Sequence, residues 1–413
     1  MRPFRFLAPL LAALAAPFAS AQNVNVFVVD AAGGAGSAFT EIQPAIDAAA
    51  SGDLVLVRSG SYSGFSVVAK SLSIVADAGA TVDVNSSSRI SLLGADQRVE
   101  VVNLQLKNEQ ILTGGPVPPP PLTISSCAGI VWLEHVDALA QLGLYTPSIS
   151  GLVVSNCDSV VLLRCTVRAV ATFLFNPGPG TSGLIASNST LAIHDGTYEG
   201  AGSVTPTAGS PSPGAPGASL LGGFAFASGA TFKGGKGGNG LTSAGSGGPG
   251  VLANGTFVGL DCTFIGGQGG ISDGSWQAPP GPPTAGSGPI TTLAGTARHF
   301  EITSPVRELQ SATLHFKGLP GENACALLSD LSDPVFFFGP LDGALCVSLG
   351  NVNALLFGVI APSGAVDVAI PMPDFLPSLM GGRIYFQSFF FDPAVTYVVL
   401  GPPSLFVLLD SGL

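Results

Sequence analysis

The sequence predicts an all-β protein in which a parallel solenoid of short strands is followed by a small antiparallel β-sandwich. Composition is the first reason. Glycine (56) and proline (33) are abundant among 413 residues, while 46% are hydrophobic and only 10% charged. Disorder needs low hydrophobicity, so this chain folds, and its turn residues cut it into many short strands. Periodicity is the second reason. A Thr signature recurs as "CTVRA", "GTYEG", "ATFKGG" and "CTFIGG", with Thr166, Thr197, Thr231 and Thr263 spaced by 31, 34 and 32 residues. A nearly fixed period of this length marks a solenoid. The third reason is a change of texture near Arg298, where strands split by Pro, Gly and Asp turns take over.

The elements follow in order. "MRPFRFLAPLLAALAAPFASAQ" has Arg2 and Arg5, an apolar run from Phe6 to Phe18, then Ala19-Ser20-Ala21. That is the pattern of a cleavable secretory signal over residues 1–21, with a membrane anchor as the alternative. The apolar run is short for a bilayer span. Cleavage leaves Gln22 first rather than a Cys for lipidation, and 13 basic against 26 acidic residues. An acidic chain disfavours nucleic acid and anionic lipid as partners. No later segment offers about 20 uninterrupted apolar residues, so no transmembrane segment is expected after signal removal. The expected location is outside the cell or at the envelope of a bacterium.

Next, Phe39, Ile42, Ile46 and Ala49 fall at helical spacing. Thr40 with Gln43 suggests a capping box, and Gly52 a stop. "DLVLVRSGSY" then reads as strand and turn. This order of short helix, Gly-Asp, strand and Gly-x-Tyr resembles the start of right-handed parallel β-helices of the pectin-lyase-like superfamily. The resemblance covers about 25 residues and implies that the helix plugs the apolar end of a right-handed solenoid. The expected organisation is a signal (1–21), a right-handed parallel β-helix with Gly/Pro-rich loops (22–297) and a β-sandwich (298–413). The last part is similar to β-domains appended to exported bacterial proteins, through "GLPGENA" and "YFQSFFFDP". The uncharged segments between Thr signatures, such as "GNGLTSAGSGGPG", read as surface loops stacked on one side. Phe336–Phe338 and Phe389–Phe391 are expected mainly in core and inter-module packing.

Candidate chemistry is sparse. Aligning "SSCAGIVWLEHV" with "SNCDSVVLLRCTV" at an offset of 30 places Cys127 over Cys157, Val131 over Val161 and Leu133 over Leu163. The same step puts Glu134, Arg164 and His194 in one outward column. Lyases and glycosidases of the resembled fold set acid, base and charge-neutralising groups on such a face, so this trio is the candidate catalytic set. The plainer reading is a solvated charge ladder worth under about 1 kcal/mol. Trp132, outward by parity, is the candidate for stacking on a sugar, with coverage by a loop as the plainer reading. Ca²⁺ enters only with a lyase, and Asp137, Asp158 and Asp261 are not spaced as a Ca²⁺ cluster; no other cofactor or metal is expected. The Asn-Thr-Asp, Asp-Asp, His-Gly and Arg-Ile-Lys motifs of polygalacturonase-like members are absent. A phosphate loop fails at Ala230 and Gly237, where the motif needs Gly and a hydroxyl. "APPGPPTAG" lacks a triplet period, which excludes collagen.

Cys325 and Cys346 are the favoured disulfide. Cys127 and Cys157, one rung apart at about 4.8 Å, are a second pairing or else a ladder of buried thiols. The reading that results is an exported, non-catalytic solenoid with a structural or binding role, its partners polysaccharide or other envelope components. The alternatives are a polysaccharide lyase or glycoside hydrolase on an acidic glycan, and a C-terminal binding or sorting module carried by a solenoid spacer.

Overall fold

The computed structural model describes residues 24–108, 119–141, 148–171, 180–203, 211–273, 276–337, 341–350, 352–374 and 380–413. The expected signal segment lies outside the described residues. The protein is all-β: a parallel β-solenoid followed by antiparallel sheets. One solenoid sheet has eight short parallel strands, from Gly60–Tyr62 to Thr263–Ile265, and carries Thr166, Thr197, Thr231 and Thr263 in register. The other has fourteen strands and folds along its middle. Its long strands Leu122–Glu134, Leu152–Leu163 and Leu184–His194 bend at Ser126, Asn156 and Asn188, whose φ values are 55°, 52° and 46°. Short polar side chains such as Asn tolerate this left-handed region better than most, so the bend recurs once per turn. The coil therefore has three faces around one apolar interior.

Alternation fills that interior. Val131, Leu133, Val160, Leu162, Leu191 and Ile193 point in, and the stacked rings of Tyr198, Phe232 and Phe264 (centroids 5.1 and 5.7 Å apart) continue the column. The helix Ile42–Ala48 buries Ile42, Ala45 and Ile46 against the first turn. Its N-cap is Glu41 without a side-chain cap, not the expected Thr40–Gln43 box. Gln43 instead accepts from the Ser66 amide at 2.6 Å, which ties the helix to the solenoid wall.

The register differs from the expected one. Cys127 does pair with Cys157, but the ladder shifts between Cys127 and Ile130, so Val131 pairs with Val160 and Leu133 with Leu162. One bulged residue moves the offset from 30 to 29.

The described Gly/Pro segments stack on one side of the solenoid with almost no regular strand or helix, and they are bonded to one another. Residues 234–240 and 266–272 run out from the Thr face, and 211–217, 245–250 and 277–283 run back. Lys233, Lys236, Ile265, Gln268 and Ile271 are exposed, whereas Gly234, Gly235, Gly237, Gly238, Gly267, Gly269 and Gly270 are buried. A burial period of three is that of a polyproline II helix, which has no internal hydrogen bonds. The bonds run between segments instead: Gly235 N to Ala215 O (2.7 Å), Gly248 N to Gly235 O (2.9 Å), Gly267 N to Gly248 O and Gly281 N to Gly267 O (both 2.8 Å). This zigzag locks an outgoing layer to a returning layer. Backbones approach so closely that a Cβ on Gly267 would lie 1.8 Å from Gly235 O. The triplet period missed in "APPGPPTAG" emerges once Ala278 and Gly281 are seen to face the bundle.

After the last solenoid strand, Ile290–Leu293, pairing becomes mainly antiparallel from His299–Ile302 onward, with short parallel pairings of Val306–Arg307 and Leu341–Val347 to Val398–Leu409. A three-stranded sheet (His299–Ile302, Ser311–Lys317, Ala365–Pro371) packs on a seven-stranded one through Phe300, Phe316, Phe386, Phe390 and Phe406. The other face of the seven-stranded sheet covers the solenoid. Tyr385, Leu405, Val407 and Leu409 share one buried cluster with Leu54, Val75, Trp132, Val161, Leu163, Phe226 and Leu260. Phe390 is buried between the antiparallel sheets and Phe389 packs at the solenoid contact; the side chains of Phe336–Phe338 lie outside those described. Among the described residues no helix is long and apolar enough to cross a membrane.

Candidate functional site

The expected catalytic column does not exist as a column. With the register shift, Glu134 is followed by Leu163, His194 and Ser228. Arg164 sits one residue later, at the corner where His135, Arg164, Asp195 and Asp261 take φ values of 51–57°. Nor is the face open. Glu134 is 3% exposed and His194 1%, because the antiparallel sheet lies over them.

Glu134 and Arg164 are spent on that contact. The Glu134 carboxylate accepts from Trp132 Nε1 (3.0 Å), Ser404 Oγ (2.5 Å), Leu405 N (2.8 Å) and the Arg164 guanidinium. Arg164 also donates to Phe300 O at 2.8 Å. A buried carboxylate with its lone pairs filled this way is a structural anchor, not a free acid. Trp132 is fully buried, edge-on to Tyr385 at 5.3 Å. It does face out of the solenoid, but into the antiparallel sheet, so it offers no surface to a sugar. A second anchor was unforeseen: Glu100, one column over, receives Arg383 at 3.0 Å and the Tyr385 hydroxyl. His194 makes no hydrogen bond through either ring nitrogen and lies tilted against Phe226, with ring centroids 5.9 Å apart. Burial pushes its pKa down to about 4, against the pull of Asp195, so it stands neutral.

What remains accessible is a seam between the solenoid corner and the strand His299–Ile302. A groove of about 340 Å³ there is lined by Arg164, Asp195, His299, Phe300, Glu301, His315 and Lys317. Three His–carboxylate pairs border it: His299 Nδ1 with Asp195 (2.9 Å), His135 Nε2 with Glu301 (3.2 Å) and His315 Nδ1 with Asp367 (2.7 Å). The Asp195 hydrogen bond raises the His299 pKa, and the His135 contact holds Glu301 down to about 2. Arg164 Nε also donates to His135 Nε2 at 2.8 Å. One nitrogen cannot serve both at once: a bare Nε2 accepts from Arg164, and an Nε2–H donates to Glu301. Chemically the seam offers half-exposed imidazoles and carboxylates with two fixed cations, suited to holding a polar or anionic group. Among the described residues no cluster of three or more His, Cys, Asp or Glu is arranged to hold a metal. His135, His299, Glu301 and His315 escaped the sequence reading. The one clue was that Arg164 aligns with His135 and Asp195 once the bulge is counted.

The thiols are free, all six. Cys127 and Cys157 are in register as expected, but each Sγ bonds the carbonyl two residues back, Ser125 O at 3.4 Å and Ser155 O at 3.3 Å. Cys325 and Cys346 sit on Asn323–Ser329 and Leu341–Val347, with two strands between them in sheet order. The two expected disulfides are therefore not formed.

No protein-family model matches the chain, and no curated protein does. Among solved structures, the chain is similar to the enzymatically active domain of tailspike protein 4 of bacteriophage CBA120, at 10% identity and a TM-score of 0.12. The alignment covers 86% of this chain and 64% of that one, so it spans less than two thirds of the tailspike domain.

Proposed function

We propose that this chain is an exported, non-catalytic β-solenoid with a structural or binding role outside the cell or at the envelope, distantly related to the pectin-lyase-like superfamily. One observation carries the reading: the solenoid face on which catalytic groups were expected is covered, with Glu134, His194 and Trp132 buried beneath the antiparallel sheet and Arg164 bonded to it from the corner. The export element rests on the Arg-apolar-"ASA" order of residues 1–21 alone. The shared buried cluster also argues against a spacer carrying a separable C-terminal module, because removing 298–413 would bare that face.

A second reading has its own observation. The seam groups Arg164, His299, Glu301, His315 and Lys317, types that an acidic-glycan lyase or hydrolase uses as charge neutraliser and acid–base pair. Incubating the purified protein with pectin, alginate and other acidic glycans tests both. The non-catalytic reading expects no new unsaturated or reducing ends. Turnover that disappears in His299→Ala would overturn it and locate the enzyme in the seam.

A further inference from the structure

The bundle of glycine segments has a repeating donor pattern that its last members break in only one layer. In the outgoing layer, Gly200 and Ser203 donate to Lys233 O and Lys236 O of the next rung, and Gly234 and Gly237 donate to Ile265 O and Gln268 O. The register Lys233↔Ile265 makes Gly266 and Gly269 the corresponding donors of the final rung, and both keep an N–H. In the returning layer, Gly214 and Gly217 donate to Ser246 O and Pro249 O, and Gly247 and Gly250 donate to Pro279 O and Pro282 O. The register Val251↔Thr284 then assigns the next donors to residues 280 and 283. Both are proline. A proline has no N–H and holds its ring where the acceptor of an added rung would sit, while its fixed φ suits the polyproline II path.

The remaining edges of this end are weak as well. The last strands, Thr284–Ala285 and Ile290–Leu293, are two and four residues long. Gly286 and Gly295, at φ 116° and 126°, break the extended backbone beside them. Short edges interrupted by Gly and Pro are how sheets avoid pairing with strangers. The opposite end is covered by the helix Ile42–Ala48.

We infer that Pro280 and Pro283 are end stops: they close the returning layer of the bundle against a further rung and so keep a second copy of this chain from stacking on the solenoid's C-terminal end. A second copy would present both layers together, so blocking one is sufficient. The outgoing layer keeps the N–H groups of Gly266, half-buried, and Gly269, buried, which with the three-residue terminal strand Thr263–Ile265 span too little edge to hold a partner.

The test restores the missing donors. The double variant Pro280→Ala, Pro283→Ala supplies two N–H groups and adds no atoms at Cβ. Sedimentation velocity across a hundredfold concentration range should give a concentration-independent monomer for the parent and a concentration-dependent dimer or larger species for the variant. Amide exchange should show Gly266 and Gly269 fast in the parent and at least tenfold slower in the associated variant. A parent that already self-associates with protection at Gly266 and Gly269 overturns the inference. So does a variant that keeps slow exchange at Gly235 and Gly267, and hence an intact bundle, yet remains monomeric. If the double variant loses that slow exchange, the single variant Pro283→Ala, next to the strand, is read by the same two criteria, with a weaker gain of association expected.

Discussion

The solenoid is buttressed on two sides by opposite means. Under the antiparallel sheet, burial is the work of side chains: Trp132, Val161, Leu163 and Phe226 meet Tyr385, Leu405 and Val407, with Glu134 and Glu100 pinned by charge-assisted bonds. In the glycine bundle, burial is mainly the work of backbone, and the residues inside are glycines with a few alanines such as Ala215 and Ala278. Apolar contact stabilises in proportion to area removed from water. A bundle of glycines gains little that way and relies on filling every N–H and carbonyl at close approach. The first side should yield gradually to truncation, and the second abruptly to any added atom.

Four experiments press on that contrast. The largest effect is expected for Trp132→Ala, which removes the biggest side chain from the contact. A loss of about 3–5 kcal/mol in chemical unfolding is the expectation for a buried aromatic, and a loss below about 1 would mean the two sheets are hardly coupled. Next comes acid. The folded pKa of His194 lies below its ordinary value, so its contribution is complete above pH about 6.5 and falls as pH drops toward 4. The loss is roughly 3 kcal/mol at most, and His194→Phe should flatten the pH–stability curve between 4 and 6.5. His299, raised by Asp195, works with the opposite sign: its contribution is present in acid and lost as pH rises through its folded pKa. His299→Ala should therefore cost stability near pH 5 and little at pH 8.

Third, Gly267→Ala forces a methyl against Gly235 O. Overpacking of this kind costs about 1–3 kcal/mol, and the change should appear as faster amide exchange confined to the bundle. An unchanged Gly281 amide would refute the backbone-packed description. The smallest effect belongs to Lys233→Ala on the outer row. Its Glu199 pair (3.1 Å) is half exposed on the lysine side, so a thermal shift corresponding to less than about 0.5 kcal/mol is expected.

How much of this was legible in the residues differs between the two sides. The rung period and the inward columns were readable because Thr166, Thr197, Thr231 and Thr263 and their apolar neighbours carry a strong alternating signal. The covered face was not. Leu163, Phe226 and Val258 are outward and apolar, but their partners in Val398–Leu409 lie 140 or more positions away, a pairing that local periodicity does not encode. The bulge after Cys127 then misplaced Arg164 by one residue, enough to assemble a catalytic column from groups on different walls. The bundle was unreadable for the reverse reason. "KGGKGGNG" and "IGGQGG" show the triplet plainly, but hydrophobic patterning is silent where the buried residue has no side chain.

A protease must draw several residues of main chain into its cleft, and the segments between repeats are where a solenoid ordinarily opens to let it. Here the described parts of the longest excursions are tied to one another at every third residue. Cutting one requires prising a strand from two neighbours at once. For a chain proposed to act outside the cell, such ties should make the stretches most open to cleavage in other solenoids slow to be cut here.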